Sequence, residues 1–482
     1  MKLKWGITLI VIALIILVGT YVYDLNRSND MPTQSEFPTQ SGIQVEESTN
    51  SSLPIPELLI DSNPDENISD YYLSAQNGIS NFFEGKQTAT LGYNGNYLGP
   101  VIKVSNGEEV RMHVDNELDA PTSVHWHGLV VPGSADGGPH QLIPTQSTWE
   151  PSFTIDQPAS TLWFHPHVIG STATQVYYGL AGMIIVEDEN SKSLNLPDDY
   201  GINDIPLIIQ DRSFNQEGDF VYVDNMMDGA FGEYILVNGA ITPNLEVDQV
   251  KMRFRVLNGA NARNFNLRLE DNNEFHQIAS DGGLLESPIN MESLFVTPGE
   301  RAEIIIDFSD YSKGDVVRLL NDNELVMTFI VGEEVEDTTE MPDTLAVIEK
   351  MDESLATNVK TIVLDGMGHM VSLNGKQFDM NRIDDNVALG DIEIWEISTR
   401  GAMMMGSAGH PFHIHGTQFQ VLSRNGNQPY SNEQGWKDTV YVRANETVRI
   451  IVKFEKEGLF MYHCHILEHE EAGMMGQLEV SE

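Results

Sequence analysis

The chain of 482 residues contains a single cysteine, Cys464, so an internal disulfide is excluded and the thiol calls for another explanation. Basic residues are scarce as well: 27 Lys and Arg stand against 72 Asp and Glu, a formal charge of -45. A field of that sign repels phosphate backbones, which excludes nucleic acid as a partner. It is compatible with a solvated acidic surface and with the gathering of cations. Long hydrophobic runs are lacking after the N-terminus. The one such run, Trp5–Tyr23, follows Lys2 and Lys4 and is 19 residues long, close to the ~20 that cross a bilayer. It reads as an export signal. A small-x-small cleavage site is missing and Trp5, Tyr21 and Tyr23 suit an interface, so a retained membrane anchor is expected. The remainder then lies on the outer face of the cytoplasmic membrane, or is secreted or periplasmic if the signal is cleaved.

Beyond the signal or anchor (residues 1–24), residues 25–70 are rich in Ser, Thr, Asn, Pro and acids and are expected to form a flexible linker. From Tyr71 short β-branched and aromatic runs alternate with Gly, Pro, Asn and Asp, as in EVRMHVDNEL, STLWFHPHV and AGMIIVEDE. That texture predicts an all-β protein of stacked sandwiches. Three sandwich-sized blocks are expected at 71–190, 200–335 and 355–482. A shared plan of turn, loop and strand links YLGPVIKVSNGEEVRMHVDNEL, LVNGAITPNLEVDQVKMRFRVLNGA and SLNGKQFDMNRIDDNVALGDIEIWEIS, which look like repeats of one domain type. Only the first and third blocks carry clustered histidines, which leaves the middle block as a structural spacer.

Ten of the 14 histidines fall in four windows: HWHG (His125, His127), HPH (His165, His167), HPFHIHG (His410, His413, His415) and HCHILEHEEAGMM (His463, His465, His469). Residues two apart on a strand face one side, so each His-x-His pair presents two imidazoles to one site. In HCH the same alternation turns Cys464 the opposite way, so two metal sites can share one strand. A His, His, Cys set with a more distant Met is the blue-copper electron-transfer site. His410, Cys464, His469 and Met474 supply it, and the other eight histidines make an all-imidazole site large enough for three coppers. Taken alone, HPH or HWHG is also compatible with a packed turn or a zinc pair. His113, His140, His276 and His369 belong to no cluster and read as structural or surface residues.

These motifs, together with GSADGGPHQLIP, NGKQFDMN and GWKDTV, resemble the multicopper oxidases, most closely the three-domain bacterial laccases and copper-efflux oxidases, from about Tyr71 to Glu482. The resemblance implies three cupredoxin-like Greek-key β-sandwiches and four copper ions. Type 1 copper would take His410, Cys464, His469 and Met474, and type 2 copper His125 and His413. The type 3 pair would take His127, His165 and His465 on one ion and His167, His415 and His463 on the other. One-electron oxidation of phenolic or aromatic-amine donors, or of Cu(I), would be coupled through Cys464 to reduction of dioxygen to water. Asp136 and Glu470 match the family's proton-relaying acids. Asp438 is a candidate support or a strand-end residue. A monomer is expected.

Copper-efflux oxidases carry a long Met-rich insert and an Asp-x-Met element before HPFH; this chain lacks the insert and has Met403, Met404 and Met405 there, keeping Asp365, Met367 and Met370 earlier. A thioether is a soft Cu(I) ligand. Without the insert, the type 1 edge is expected to be open to phenols. A copper-free cell-envelope scaffold of the same fold and a one-copper electron carrier are the competing classes; the carrier leaves eight histidines unexplained.

Overall fold

The computed structural model describes residues 51–63, 68–225, 228–400 and 409–482. The expected anchor and most of the expected linker lie outside these residues, as do Met403, Met404 and Met405. Among the described residues no helix is long and apolar enough to cross a membrane.

Among the described residues the regular structure is mostly β-strand, arranged as three pairs of sheets. In the first pair, Ile68–Ser80 runs beside Glu109–Asn116, and Ile102–Ser105, Gly182–Glu187, Ser160–His165 and His125–His127 form the facing sheet. Alternation drives the burial: Tyr71, Leu73 and Ala75 point inward while Tyr72 and the polar positions between them face out. Tyr71, Val110, Met112, Trp126, Phe164 and Ile184 close the core between the two sheets.

The internal echo in the sequence has a topological meaning. In each sandwich the short strand of the repeated segment pairs in parallel with that sandwich's last strand: Ile102–Ser105 with Gly182–Glu187, Asn244–Val247 with Glu324–Val331, and Asp385–Ala388 with Met475–Ser481. The strand that follows pairs in parallel with the sandwich's first: Glu109–Asn116 with Ile68–Ser80, Lys251–Asn258 with Asp204–Arg212, and Ile392–Arg400 with Asn358–Met367. Parallel neighbours cannot be joined by a hairpin, so the chain crosses between the two sheets, as a Greek-key sandwich requires. Three cupredoxin-like sandwiches are thus one pattern used three times.

One expectation is corrected. Residues 51–63, assigned to a flexible linker, are laid down on the sandwiches. The Leu53 amide donates to the Asn244 carbonyl at 2.7 Å, Leu59 and Val101 are joined by a 2.8 Å bond, and Leu53 is buried. The prolines of LPIPELLI preset an extended backbone, and its spaced aliphatic residues find apolar surface. Composition averaged over the segment hid this pattern.

Candidate metal centre

Strand register assembles the first group of imidazoles. His125 stands opposite His165 across one antiparallel pair in the first sandwich, and His413 stands opposite His463 across another in the third. The two sandwiches then meet ring on ring: His125 stacks on His415 at 3.7 Å between centroids and His127 on His413 at 3.6 Å. Eight buried imidazoles result. Their ligand-capable nitrogens fall into triples lying within 4.8 Å of one another: His127, His165 and His465; His167, His415 and His463; His125, His127 and His413. His125 Nε2 and His413 Nε2 are 3.5 Å apart, and His463 Nε2 is 3.0 Å from His415 Nε2 and 3.3 Å from His167 Nε2.

The outward nitrogens are held by the protein. His125 Nδ1 donates to the Asp136 carbonyl at 3.0 Å, His413 Nδ1 to the Asp438 carbonyl at 2.8 Å, His165 Nδ1 to the Pro166 carbonyl at 2.8 Å and His463 Nδ1 to the Cys464 carbonyl at 3.0 Å. His415 Nδ1 donates to the Asp136 carboxylate at 2.8 Å. A proton fixed on one ring nitrogen leaves the other with its lone pair, directed inward.

The second group lies on the reverse side of the strand Gly458–Cys464. Cys464 Sγ is 3.4 Å from His410 Nδ1 and 3.8 Å from His469 Nδ1, and all three residues are buried. The Ile466 amide donates to the sulfur at 3.4 Å. Met474 is fully buried in the same core, its carbonyl accepting from the Cys464 amide at 3.1 Å. The hairpin of Asn358–Met367 and Met370–Leu373 sits against this group: the Gly368 amide donates to His469 Nε2 at 3.3 Å, and the Gly366 backbone bonds to His410.

Electrostatics favour metal over protons. Burial, reinforced by repulsion between neighbouring imidazoles, holds His165, His167, His415, His463 and His465 well below the ordinary histidine range. His127 is lowered in the same way despite Asp438 beside it, and His410 is brought down to about 3 by burial and by His469. All are neutral imidazoles, the form that ligates a metal. His127 Nδ1, His165 Nε2 and both nitrogens of His465 are buried with no hydrogen-bond partner among the described residues. Such orphaned atoms carry a desolvation cost that a metal ion would remove. Burial pushes the Cys464 thiol up, so the sulfur keeps its proton until a cation replaces it. Soft sulfur with two imidazoles, beside an all-imidazole group, fits copper.

The expected acids are both at the site. Asp136 joins His125 and His415 in a further ligand-capable triple. Glu470 lies 3.4 Å from His167 Nδ1 and 3.3 Å from His463 Nδ1; burial, then Glu471 and Glu468, raises its carboxyl well above the ordinary range. A cavity of about 240 Å³, lined by His167, Thr172, Gln377, Glu470 and Glu471, adjoins it. Asp438 accepts from His127 Nε2 at 3.0 Å and is the partner of Arg301. Arg301 was not foreseen, and it comes from the middle block. Its sequence signal is the lone cation that opens the strand RAEIIID of PGERAEIIIDF. The unclustered histidines stay outside the site: His113 stacks on Tyr72, His140 bonds Gln477 and His369 pairs with Asp224.

The comparisons with known proteins agree with this geometry. Multicopper oxidase family models match residues 74–191, 186–316 and 340–482. The chain is 40% identical to the multicopper oxidase Mco of Staphylococcus aureus over 458 residues, covering 94% of this chain and 98% of that one. It is 33% identical to the cell division protein FtsP of Escherichia coli strain K12 over 450 residues, covering 89% and 92%. The crystal structure of a laccase from Pediococcus acidilactici superposes with a TM-score of 0.87 at 42% identity, covering 90% and 94% of the two chains. Fold and site define a copper-dependent oxidase. The chain belongs to the multicopper oxidase family.

Proposed function

We propose that the protein is a four-copper, laccase-like oxidase that takes single electrons from phenolic or aromatic-amine donors and reduces dioxygen to water. The observation that carries this is the shared strand: Cys464 faces His410 and His469 while its neighbours His463 and His465 face the imidazole cluster. His410, Cys464, His469 and Met474 would hold type 1 copper. His125 and His413 would hold type 2 copper, and the triples His127, His165, His465 and His167, His415, His463 the type 3 pair. When bound, these ions supply one-electron acceptance on the thiolate side and multi-electron transfer to dioxygen on the imidazole side.

The residues do the rest. Cys464 joins the two sides through its peptide bonds to His463 and His465, a covalent path that needs no diffusing carrier. Water formation consumes protons, and Glu470, which lines the cavity beside His167 and lies 3.4 Å from His167 Nδ1, is suited to carry them inward. Asp136 would hold His415 and serve as a second proton-carrying acid at the cluster. Cu(I) is the alternative donor: Met367 and exposed Met370 stand at the hairpin that bonds His410 and His469. A copper-free scaffold, a reading raised by the likeness to a cell division protein, leaves the buried orphaned nitrogens of His127, His165 and His465 unexplained. Through Trp5–Tyr23 the enzyme would work at the outer face of the membrane.

Oxygen consumption by the copper-loaded protein over a panel of phenols, aromatic amines and Cu(I) tests the reading. Phenol turnover without added copper is expected. A phenol rate of zero unless excess copper is supplied would contradict the laccase-like donor range.

A further inference from the structure

The middle sandwich contributes none of the proposed ligands, yet its Arg301 reaches a carboxylate that holds one of them. Arg301 opens the strand Arg301–Asp307 and its side chain is fully buried. A guanidinium has five N–H donors, and here each has an acceptor. Nε donates to the Thr161 carbonyl of the first sandwich at 3.0 Å. Nη1 donates to the Gly299 carbonyl at 2.8 Å and to Asp438 Oδ1 at 2.8 Å. Nη2 donates to the Asp281 carbonyl at 3.1 Å and to Asp438 Oδ2. The guanidinium thus grips the Asp438 carboxylate as a two-pronged fork, a geometry that lysine cannot reproduce.

Asp438 converts that grip into control of two imidazoles. Its Oδ1 accepts from His127 Nε2 at 3.0 Å, which places the proton on Nε2 and leaves buried Nδ1 without a partner. Its carbonyl accepts from His413 Nδ1 at 2.8 Å, which leaves Nε2 directed at His125 Nε2. Thr439 Oγ1 donates to the same carboxylate at 2.8 Å. Beside it Lys437 reaches Asp281 at 2.8 Å and Glu300 at 3.1 Å, fastening this loop of the third sandwich to the middle one.

Two glycines leave room for the arrangement. At Gly128, directly after His127, a Cβ would stand 2.6 Å from Asp438 Oδ2 and 2.8 Å from Arg301 Nη2. At Gly299 a Cβ would stand 2.9 Å from the His465 ring. Both have positive φ, at 92° and 84°. At Gly128 the backbone closes on the ion pair, and at Gly299 on the His465 ring, to distances that only glycine permits.

We infer that Arg301 is a positioning residue of the trinuclear site: through Asp438 it fixes the tautomer and orientation of His127 and His413, so the middle sandwich is a working part of the oxidase rather than a spacer. The inference rests on the copper reading for its consequence and on the metal-free geometry for its content. Removing a hydrogen-bonding partner of a metal ligand lowers metal affinity about 10–100-fold. The thiolate group, on the reverse side of the strand, is built without Arg301 and serves as an internal control.

The test compares wild type with Arg301→Lys and Arg301→Met. Nitrogen-15 spectra of histidine-labelled, metal-free protein report tautomers directly. The wild-type protein is expected to carry its His127 proton on Nε2, and both variants are expected to lose that single tautomer. After copper loading, the variants should keep the blue thiolate band but bind cluster copper about 10–100-fold more weakly, with an altered type 2 electron paramagnetic resonance signal. Unchanged His127 tautomer and full cluster copper in both variants would overturn the inference. Loss of the blue band together with cluster copper in both variants would also overturn it, because Arg301 would then serve the fold as a whole. Should wild type bind no copper, the proposed function fails while the tautomer comparison still decides the role of Arg301.

Discussion

His463 and Cys464 are neighbours in the chain that serve opposite faces of one strand: His463 Nε2 lies 3.0 Å from His415 Nε2, and Cys464 Sγ lies 3.4 Å from His410 Nδ1. Strand alternation alone creates this relationship. It gives the two metal groups a fixed separation and a covalent link, and it makes their contributions separable by substitution.

Cys464→Ser should abolish the intense blue absorption while leaving the all-imidazole group able to bind copper. The sulfur is buried within the third core, and serine is smaller and keeps the shape. Absorption spectroscopy with copper analysis checks this. A blue band that survives the substitution would remove Cys464 from the site.

Met474→Leu preserves the buried volume and removes the weak thioether donor. An axial donor favours the more highly charged, oxidised ion, so its loss should raise the type 1 potential while the blue band remains. A redox titration followed at the blue band measures the shift. A lowered potential would contradict an axial role for Met474.

Glu470→Gln keeps the shape of the carboxyl group and removes its proton chemistry. Oxygen reduction should slow by about 10²–10⁴-fold, whereas anaerobic bleaching of the blue band by a donor should keep its rate. Stopped-flow measurements separate the two steps, and equal slowing of both would count against a proton role.

Stability has its own test in the buried network joining the first two sandwiches. Burial alone would raise the Glu303 carboxyl; Arg253 and Arg255 override this and hold it at about 2, with Thr161 donating at 2.7 Å. A depressed carboxyl contributes stability that is present above its ordinary value, near 4.5, and is lost as pH falls through about 2. Glu303→Gln leaves two guanidinium groups short of a partner and should cost about 3–5 kcal/mol at neutral pH. Denaturant unfolding should show that difference narrowing as pH falls from 4.5 towards 2. A gap that is unchanged over this range would contradict the assignment.

The histidine clusters were legible because their information is local. A period of two places His125 with His127, and turns Cys464 away from its neighbours, whatever the remainder of the chain does. The repeated segments were legible for the same reason, since each holds two consecutive strands. Arg301 was not, because its partner Asp438 is 137 positions away and no local pattern joins them. Composition hides the order of residues 51–63, whereas Leu53, Ile55 and Leu59 mark an apolar rhythm around Pro54 and Pro56.

In the proposed oxidase, electrons enter singly on the Cys464 side and leave together on the side of the eight imidazoles. Simultaneous measurement of donor oxidised, dioxygen consumed and hydrogen peroxide formed by the copper-loaded protein tests this most directly. Four one-electron donors oxidised per dioxygen, with no peroxide released, are expected. Two donors per dioxygen, with stoichiometric peroxide, would contradict it.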